Sequence, residues 1–124
     1  MIALDTSVLV EALGAGGAMR GPFREALAAS HRIVIPTLVL YEWLRGPRGP
    51  EELAVQEAVL PAAEALPFGP EEARTAAALY RRVGRPRGRE IDLAIAACAI
   101  VWDATIWTLN RADFEDIPGV RLFG

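Results

Sequence analysis

The sequence predicts an α/β fold with helices on both faces of a parallel β-sheet. Short runs rich in β-branched residues alternate along the chain with longer segments of helical length. Strands separated by helices pair in parallel, because each helix carries the chain back to the same edge of the sheet. The chain has 124 residues, no internal repeat and no linker, so we expect a single domain over residues 1–124.

Five segments are predicted to be strands. Residues 2–5 open the chain with an apolar run, and RIVIP at residues 32–36 is typical of a buried strand. EALPFG at residues 64–69 is a candidate short strand. ATIWTL at residues 104–109 and VRLF at residues 120–123 follow near the end of the sequence.

Six helices are predicted between these strands, and their ends carry the usual signals. The segment that begins at Pro70 has glutamates in its first turn, arginines in its last and Gly84 after it, the charge order that a helix dipole favours. Gly46 and Pro47 end another helix. The predicted helices cover residues 6–13, 23–29, 37–45, 51–60, 70–83 and 90–102.

Composition excludes several kinds of chemistry. The chain has no lysine, which excludes a Schiff-base lysine and a phosphate-binding P-loop. A single histidine, His31, excludes a nuclease that uses two histidines as acid and base. A single cysteine, Cys98, excludes an internal disulfide and a cysteine-cluster metal site. Hydrolytic chemistry would therefore depend on carboxylates.

The apolar content is high for a small protein. Hydrophobic residues make up 52% of the chain, and the mean hydropathy is +0.24. No apolar run is long enough for a membrane span, and no basic segment precedes one as in a signal peptide. We therefore expect a cytoplasmic protein whose excess apolar surface is buried in an interface, most simply that of a homodimer.

Two polar residues stand at the carboxyl ends of predicted strands. Asp5 ends the first strand, and Asn110 follows the strand at residues 104–109. Ligands bind at this edge of open parallel sheets. The alternative for Asp5 is that it caps the helix that starts at Thr6, since Asp is a favoured N-cap residue.

Three further acids are candidates for the same edge. Glu42 lies in an apolar helical stretch, where the alternative is an ion pair with Arg45. Asp92 opens the helix of residues 90–102, where the alternative is compensation of the helix dipole. Asp113 would lie one turn beyond Asn110. Acids that converge from separate elements repel one another unless a cation neutralises them, and oxygen-only ligation suits Mg²⁺ or Mn²⁺.

Four motifs in this order resemble the PIN domain, and within it the VapC-type ribonuclease toxins of toxin–antitoxin pairs. They are LDTSVLV at the start, YEWLRG around residue 42, EIDLAIAACA around residue 92 and TLNRADFEDIPGVRL at the end. The resemblance spans essentially the whole chain. It implies metal-dependent hydrolysis of single-stranded RNA, a five-stranded parallel sheet in the order 3-2-1-4-5, a homodimer, and an antitoxin that blocks the cleft.

The resemblance also implies roles for individual residues. Asp5, Glu42 and Asp92 correspond to the acids that hold the metal, Mg²⁺ or Mn²⁺. The family's fourth acid falls on Asn110, and the nearby Asp113 is expected to complete the catalytic group. A neutral amide binds a cation more weakly than a carboxylate does. The cleft-lining polar positions match Thr6 and Thr108.

The arginine-rich segment RRVGRPRGR, residues 81–89, is the expected RNA-binding element. Arginine binds phosphate with two parallel hydrogen bonds and stacks on unpaired bases. Favourable charge at a helix C-terminus would explain the first two arginines, but not Arg85, Arg87 and Arg89. Two other functions remain open: a PIN nuclease of RNA processing without an antitoxin, and a catalytically weak PIN fold that serves as an interaction module.

Overall fold

A parallel sheet of three strands lies at the centre of the computed structural model, which describes residues 1–124. The middle strand is β1 (Ile2–Leu4), with β2 (Ile33–Val34) on one side and β3 (Thr105–Trp107) on the other. The register aligns the first residues of all three strands. The carboxyl ends of the strands therefore lie at one edge of the sheet, as predicted.

Six α-helices and two short 3₁₀ helices connect and cover the strands. None of the helices combines the length and the apolar composition that crossing a bilayer requires. The α-helices are α1 (Thr6–Leu13), α2 (Arg20–Ala28), α3 (Thr37–Arg45), α4 (Pro50–Val59), α5 (Pro70–Arg82) and α6 (Glu90–Val101). The 3₁₀ helices cover Ala62–Glu64 and Arg111–Asp113.

The expected five-stranded sheet is wrong in its strand count. Residues 64–69 and 120–123 each contribute only one bridge, Leu66 to Pro36 and Leu122 to Ile106. These bridges lie on the outer sides of β2 and β3, so the two segments take the outer positions without forming strands. In the first case helices confine the pairing, because α3 begins at Thr37, directly after Pro36, and the 3₁₀ helix Ala62–Glu64 ends two residues before Leu66.

The core encloses the sheet and one helix. All three residues of β1 are buried, and successive residues of a strand point to opposite faces, so both faces of the central strand are covered. In α6 every residue from 93 to 99 is buried. The first turn of α6 thus brings its polar residues to the end of a helix that the core holds rigidly.

Candidate carboxylate site

Asp5 follows β1 directly and occupies the N-cap position of α1. Its carbonyl oxygen accepts bonds from the N–H groups of Val8 and Leu9, whereas its side chain caps nothing. The N-cap interpretation is therefore correct for the backbone and wrong for the carboxylate. The side chain is 5% exposed, so its charge needs other partners.

Two hydroxyl groups supply those partners. Ser7 Oγ donates to Asp5 Oδ2 at 2.9 Å, and Thr108 Oγ1 donates to the same oxygen at 2.7 Å. Each hydroxyl also accepts a backbone N–H from the segment after β3, that of Leu109 at 3.0 Å and that of Asn110 at 2.9 Å. The carboxylate is thus fixed by hydroxyls from both ends of the chain, and Thr108, one of the residues expected to line the cleft, lies against it.

Glu42 reaches the same region from α3. Thr6 Oγ1 donates to Glu42 Oε1 at 2.6 Å, while Arg45 Nη2 lies 3.4 Å from Glu42 Oε2. The ion pair considered as an alternative is therefore present, together with a shorter bond to a residue next to Asp5. The Glu42 side chain is 20% exposed and the Arg45 side chain 58%, so the pair is open to solvent on the arginine side.

Asp92 lies close enough to three other acids for their charges to act on its carboxyl group. Burial, and after it the negative charges of Asp5, Asp113 and Glu42, together raise the pKa of its carboxyl to about 6. Arg89 acts in the opposite direction. Acids from four separate segments therefore share one edge of the sheet, with more negative charge than the arginine neutralises.

Asn110 and Asp113 border the same edge on the turn after β3. Asn110 is the N-cap of the 3₁₀ helix Arg111–Asp113, and its carbonyl oxygen accepts the N–H of Asp113 at 3.0 Å. The side chains of both residues are exposed. Below them, Phe114 is fully buried and anchors the turn in the core.

The three predicted RNA-binding arginines differ from one another. Arg85 and Arg87 are exposed and form no salt bridge within the chain. Arg89 is instead engaged with Asp116, which it contacts through two hydrogen bonds of 2.5 and 3.0 Å. Its guanidinium group is therefore already paired within the chain, whereas those of Arg85 and Arg87 are not.

The acids do not form a closed metal cage. No three His, Cys, Asp or Glu side chains are close enough together to hold an ion as they stand. The donor chemistry nevertheless fits a hard divalent cation, since every candidate ligand is an oxygen and three other acids lie close enough to act on Asp92. The larger grooves lie elsewhere; the one of about 450 Å³ is lined by residues of α1, α2 and α4.

Ser7 and Asp116 are the residues of this site that the sequence reasoning missed. For Ser7 a signal existed, because a second hydroxyl directly follows Thr6 in the motif LDTSVLV. For Asp116 none existed, because its partner Arg89 lies 27 residues away.

The fold and the sequence motifs agree with known proteins. Chains of three crystal structures are similar: VapBC2 from Rickettsia felis (25% identity, TM-score 0.73, covering 99% of this chain and 98% of that one), DNA-bound VapBC from Salmonella typhimurium (27%, 0.71, 98% and 96%) and FitAcB from Neisseria gonorrhoeae (20%, 0.66, 100% and 97%). No curated protein sequence matches. The model of the PIN domain family matches residues 2–120, so the chain belongs to the PIN domain family.

Proposed function

We propose that this protein is a metal-dependent endoribonuclease that cleaves single-stranded RNA, as the toxin of a VapBC-type toxin–antitoxin pair. The observation that carries the proposal is that four acids from separate segments converge on one edge of the sheet in a chain of the PIN family. Structural proteins have little reason to collect unneutralised carboxylates at one edge, whereas active sites often do.

Asp5, Glu42 and Asp92 would hold Mg²⁺ or Mn²⁺, with Asp113 or Asn110 completing the set. The bound cation would activate water and stabilise the charge that develops on the phosphate. The chain's own contribution is positional: Ser7 and Thr108 fix the Asp5 carboxylate, and Thr6 orients that of Glu42.

RNA is the substrate class that the exposed arginines support. Arg85 and Arg87 lie in the loop that leads to α6, a few residues before Asp92, and neither is neutralised by an ion pair. The net charge of −3 means that this local positive charge, and not the whole surface, must attract the phosphate backbone.

A cognate antitoxin and a second copy of the chain are the proposed partners. The similar structures are those of VapBC and FitAcB, which supports an antitoxin. The structure exposes large apolar side chains on several helices, including Tyr41 and Leu44 of α3. Such surface fits a protein that is covered by partners in a homodimeric complex.

The test is cleavage of a labelled single-stranded RNA by the purified protein with Mn²⁺ and then with EDTA. Asp5→Asn should remove the activity, while Asp103→Asn should retain it, because Asp103 lies outside the cluster in an ion pair with Arg121. Activity that persists in EDTA or in Asp5→Asn would contradict the proposal.

The interaction module is a second candidate, favoured by the neutral Asn110 and by the absence of a closed cage. Calorimetry distinguishes it, because a pure binding module has no need to bind Mn²⁺. Binding of Mn²⁺ without cleavage of any RNA would instead mean that the proposed substrate is wrong.

A further inference from the structure

Arg89 links three segments of the chain at the edge of the acid cluster. It precedes the first residue of α6 and donates to the carbonyl oxygen of Gly84, at 3.0 Å, and to that of Asp113, at 3.0 Å. It also donates to both carboxylate oxygens of Asp116. The loop after α5, the start of α6 and the turn after β3 therefore meet at one guanidinium group.

These bonds use every terminal N–H of the guanidinium group. Nη1 donates to Gly84 and Asp116, and Nη2 donates to Asp113 and Asp116, so only the Nε–H remains. The Arg89 side chain is only 19% exposed. A phosphate would have to displace Asp116 before it could bind this arginine with two hydrogen bonds, which makes a direct contact with RNA costly.

The geometry differs from that of an ordinary surface ion pair. The exposed pair of Arg121 and Asp103 has a single side-chain contact of 2.8 Å and one carbonyl contact, and such pairs usually contribute little. Arg89 combines a two-point carboxylate contact with two carbonyls from different segments. Because the contacts come from different segments, they restrict how those segments lie relative to one another.

The contact with Asp113 is through the main chain only. Arg89 donates a hydrogen bond to the carbonyl oxygen of Asp113 but does not contact its exposed carboxylate, because the ion pair of Arg89 is with Asp116. Asp113 and Asp92 carry like charges that repel, and this repulsion pushes the turn away from α6. The Arg89 guanidinium group donates to the backbone of the turn and so opposes this repulsion, and the Asp113 carboxylate takes no part in the contact.

We propose that Arg89 and Asp116 form a positioning pair that keeps the Asp113 carboxylate beside Asp92 as a cation ligand, in place of the acid that Asn110 lacks. This inference rests on the proposed metal-dependent function. It replaces the RNA-binding role predicted for Arg89 and adds a role for Asp116. Neither residue touches the cation; both act through the placement of Asp113.

The experiment measures the affinity of the metal-free protein for Mn²⁺ by calorimetry, in the wild type and in Arg89→Ala, Asp116→Ala and the double variant. Each single change should weaken Mn²⁺ binding by about tenfold, the range found for residues behind metal ligands. The double variant should be no weaker than either single variant, because both remove the same pair. Arg121→Ala, which breaks the remote ion pair, is the matched control and should bind Mn²⁺ like the wild type.

Two further measurements separate positioning from the alternatives. Hydrogen exchange should accelerate in residues 111–117 of both single variants, with the melting temperature of each compared with that of Arg121→Ala. Binding of single-stranded RNA in EDTA should be no weaker in Arg89→Ala than in Arg121→Ala if Arg89 only positions. Unchanged Mn²⁺ affinity in both single variants, or weaker RNA binding in Arg89→Ala than in Arg121→Ala, would overturn the inference. Failure of the wild type itself to bind Mn²⁺ would instead overturn the proposed function, and the inference with it.

Discussion

Asp5 and Asp92 lie at the same edge of the sheet in opposite circumstances. Asp5 is almost fully buried, and its charge is satisfied by the hydroxyls of Ser7 and Thr108. Asp92 is only partly buried, and burial and neighbouring acids raise the pKa of its carboxyl to about 6. The Asp5 carboxylate is fixed by hydrogen bonds within the chain, whereas the Asp92 carboxylate lies where burial and nearby acids destabilise its negative charge.

This difference divides the work of the site between geometry and electrostatics. Hydroxyl donors stabilise a carboxylate without neutralising it, so under the proposed function Asp5 would serve as a rigid, negatively charged ligand. Asp92 and Asp113 would supply negative charge that a bound cation relieves. The proposed site would therefore combine one carboxylate that the fold holds in place with others whose repulsion favours a cation.

The largest effect is expected from Asp5→Asn. The amide oxygen can still accept bonds from Ser7 and Thr108, so the fold should persist while the fixed negative charge is lost. RNA cleavage should fall by more than the roughly 10- to 100-fold that removal of a residue behind a metal ligand costs. Circular dichroism checks the fold, and substantial cleavage by a folded Asp5→Asn protein would show that Asp5 is not a ligand.

Thr108→Val tests the hydroxyl support directly. The buried Asp5 carboxylate loses its 2.7 Å bond, and the N–H of Asn110 loses its acceptor. The free energy of unfolding should fall by about 1–3 kcal/mol, the usual cost of leaving a buried polar group without its partner. Thr105→Val, in the strand that ends just before Thr108, is the control, because its side chain forms no hydrogen bond in the structure. Equal losses in the two variants would mean that the Asp5 contact is energetically unimportant.

The pH dependence of stability tests the Asp92 side of the comparison. The native carboxyl has a raised pKa, so between about pH 4 and pH 6 the native state binds more protons than the unfolded state does. The free energy of unfolding of the metal-free protein should therefore decrease as the pH rises through this window. Urea titrations at several pH values measure it, and Asp92→Asn should flatten the decrease. A decrease of the same size in Asp92→Asn would assign it to other groups.

The smallest effect is expected from Asn110→Asp, which adds a further negative charge to the group of acids around Asp92. Mn²⁺ affinity should increase, by roughly tenfold or less, because affinity for a hard cation rises with the number of charged ligands. Stability without metal should fall as the acids repel more strongly. Asn110→Gln keeps a neutral amide and is the control. Weaker Mn²⁺ binding by Asn110→Asp would place position 110 outside the site.

The sequence predicted most of the framework because its signals are local. The ends of α3 and α6, the three central strands and the positions of Asp5, Glu42 and Asp92 follow from apolar periodicity, caps and the four motifs. The short outer segments looked like strands by composition, yet the first has a single bridge because α3 begins directly after its partner residue, Pro36. The length of a ladder depends on where both paired segments stay extended, which the composition of one segment does not report.

The role of Arg89 was beyond sequence reasoning for a different reason. In the sequence it is one of five arginines within residues 81–89, and nothing in that segment distinguishes it from Arg85 and Arg87. Its burial and its contact with Asp116 depend on how the turn after β3 packs against α6. Long-range contacts of this kind are set by tertiary packing, so the arginine-rich segment alone did not indicate which arginine would form an ion pair within the chain.

The hydroxyl bonds around Asp5 have a consequence for synthesis of the chain. Ser7 is bonded to Leu109, and Asp5 to Thr108, so these two contacts form only when the last fifth of the sequence is present. A ribosome-bound fragment that stops before Thr105 lacks β3 and both contacts from that strand. A growing chain therefore cannot assemble this site before β3 and the residues that follow it have been synthesised, which delays the proposed cleavage of RNA until that stage of translation.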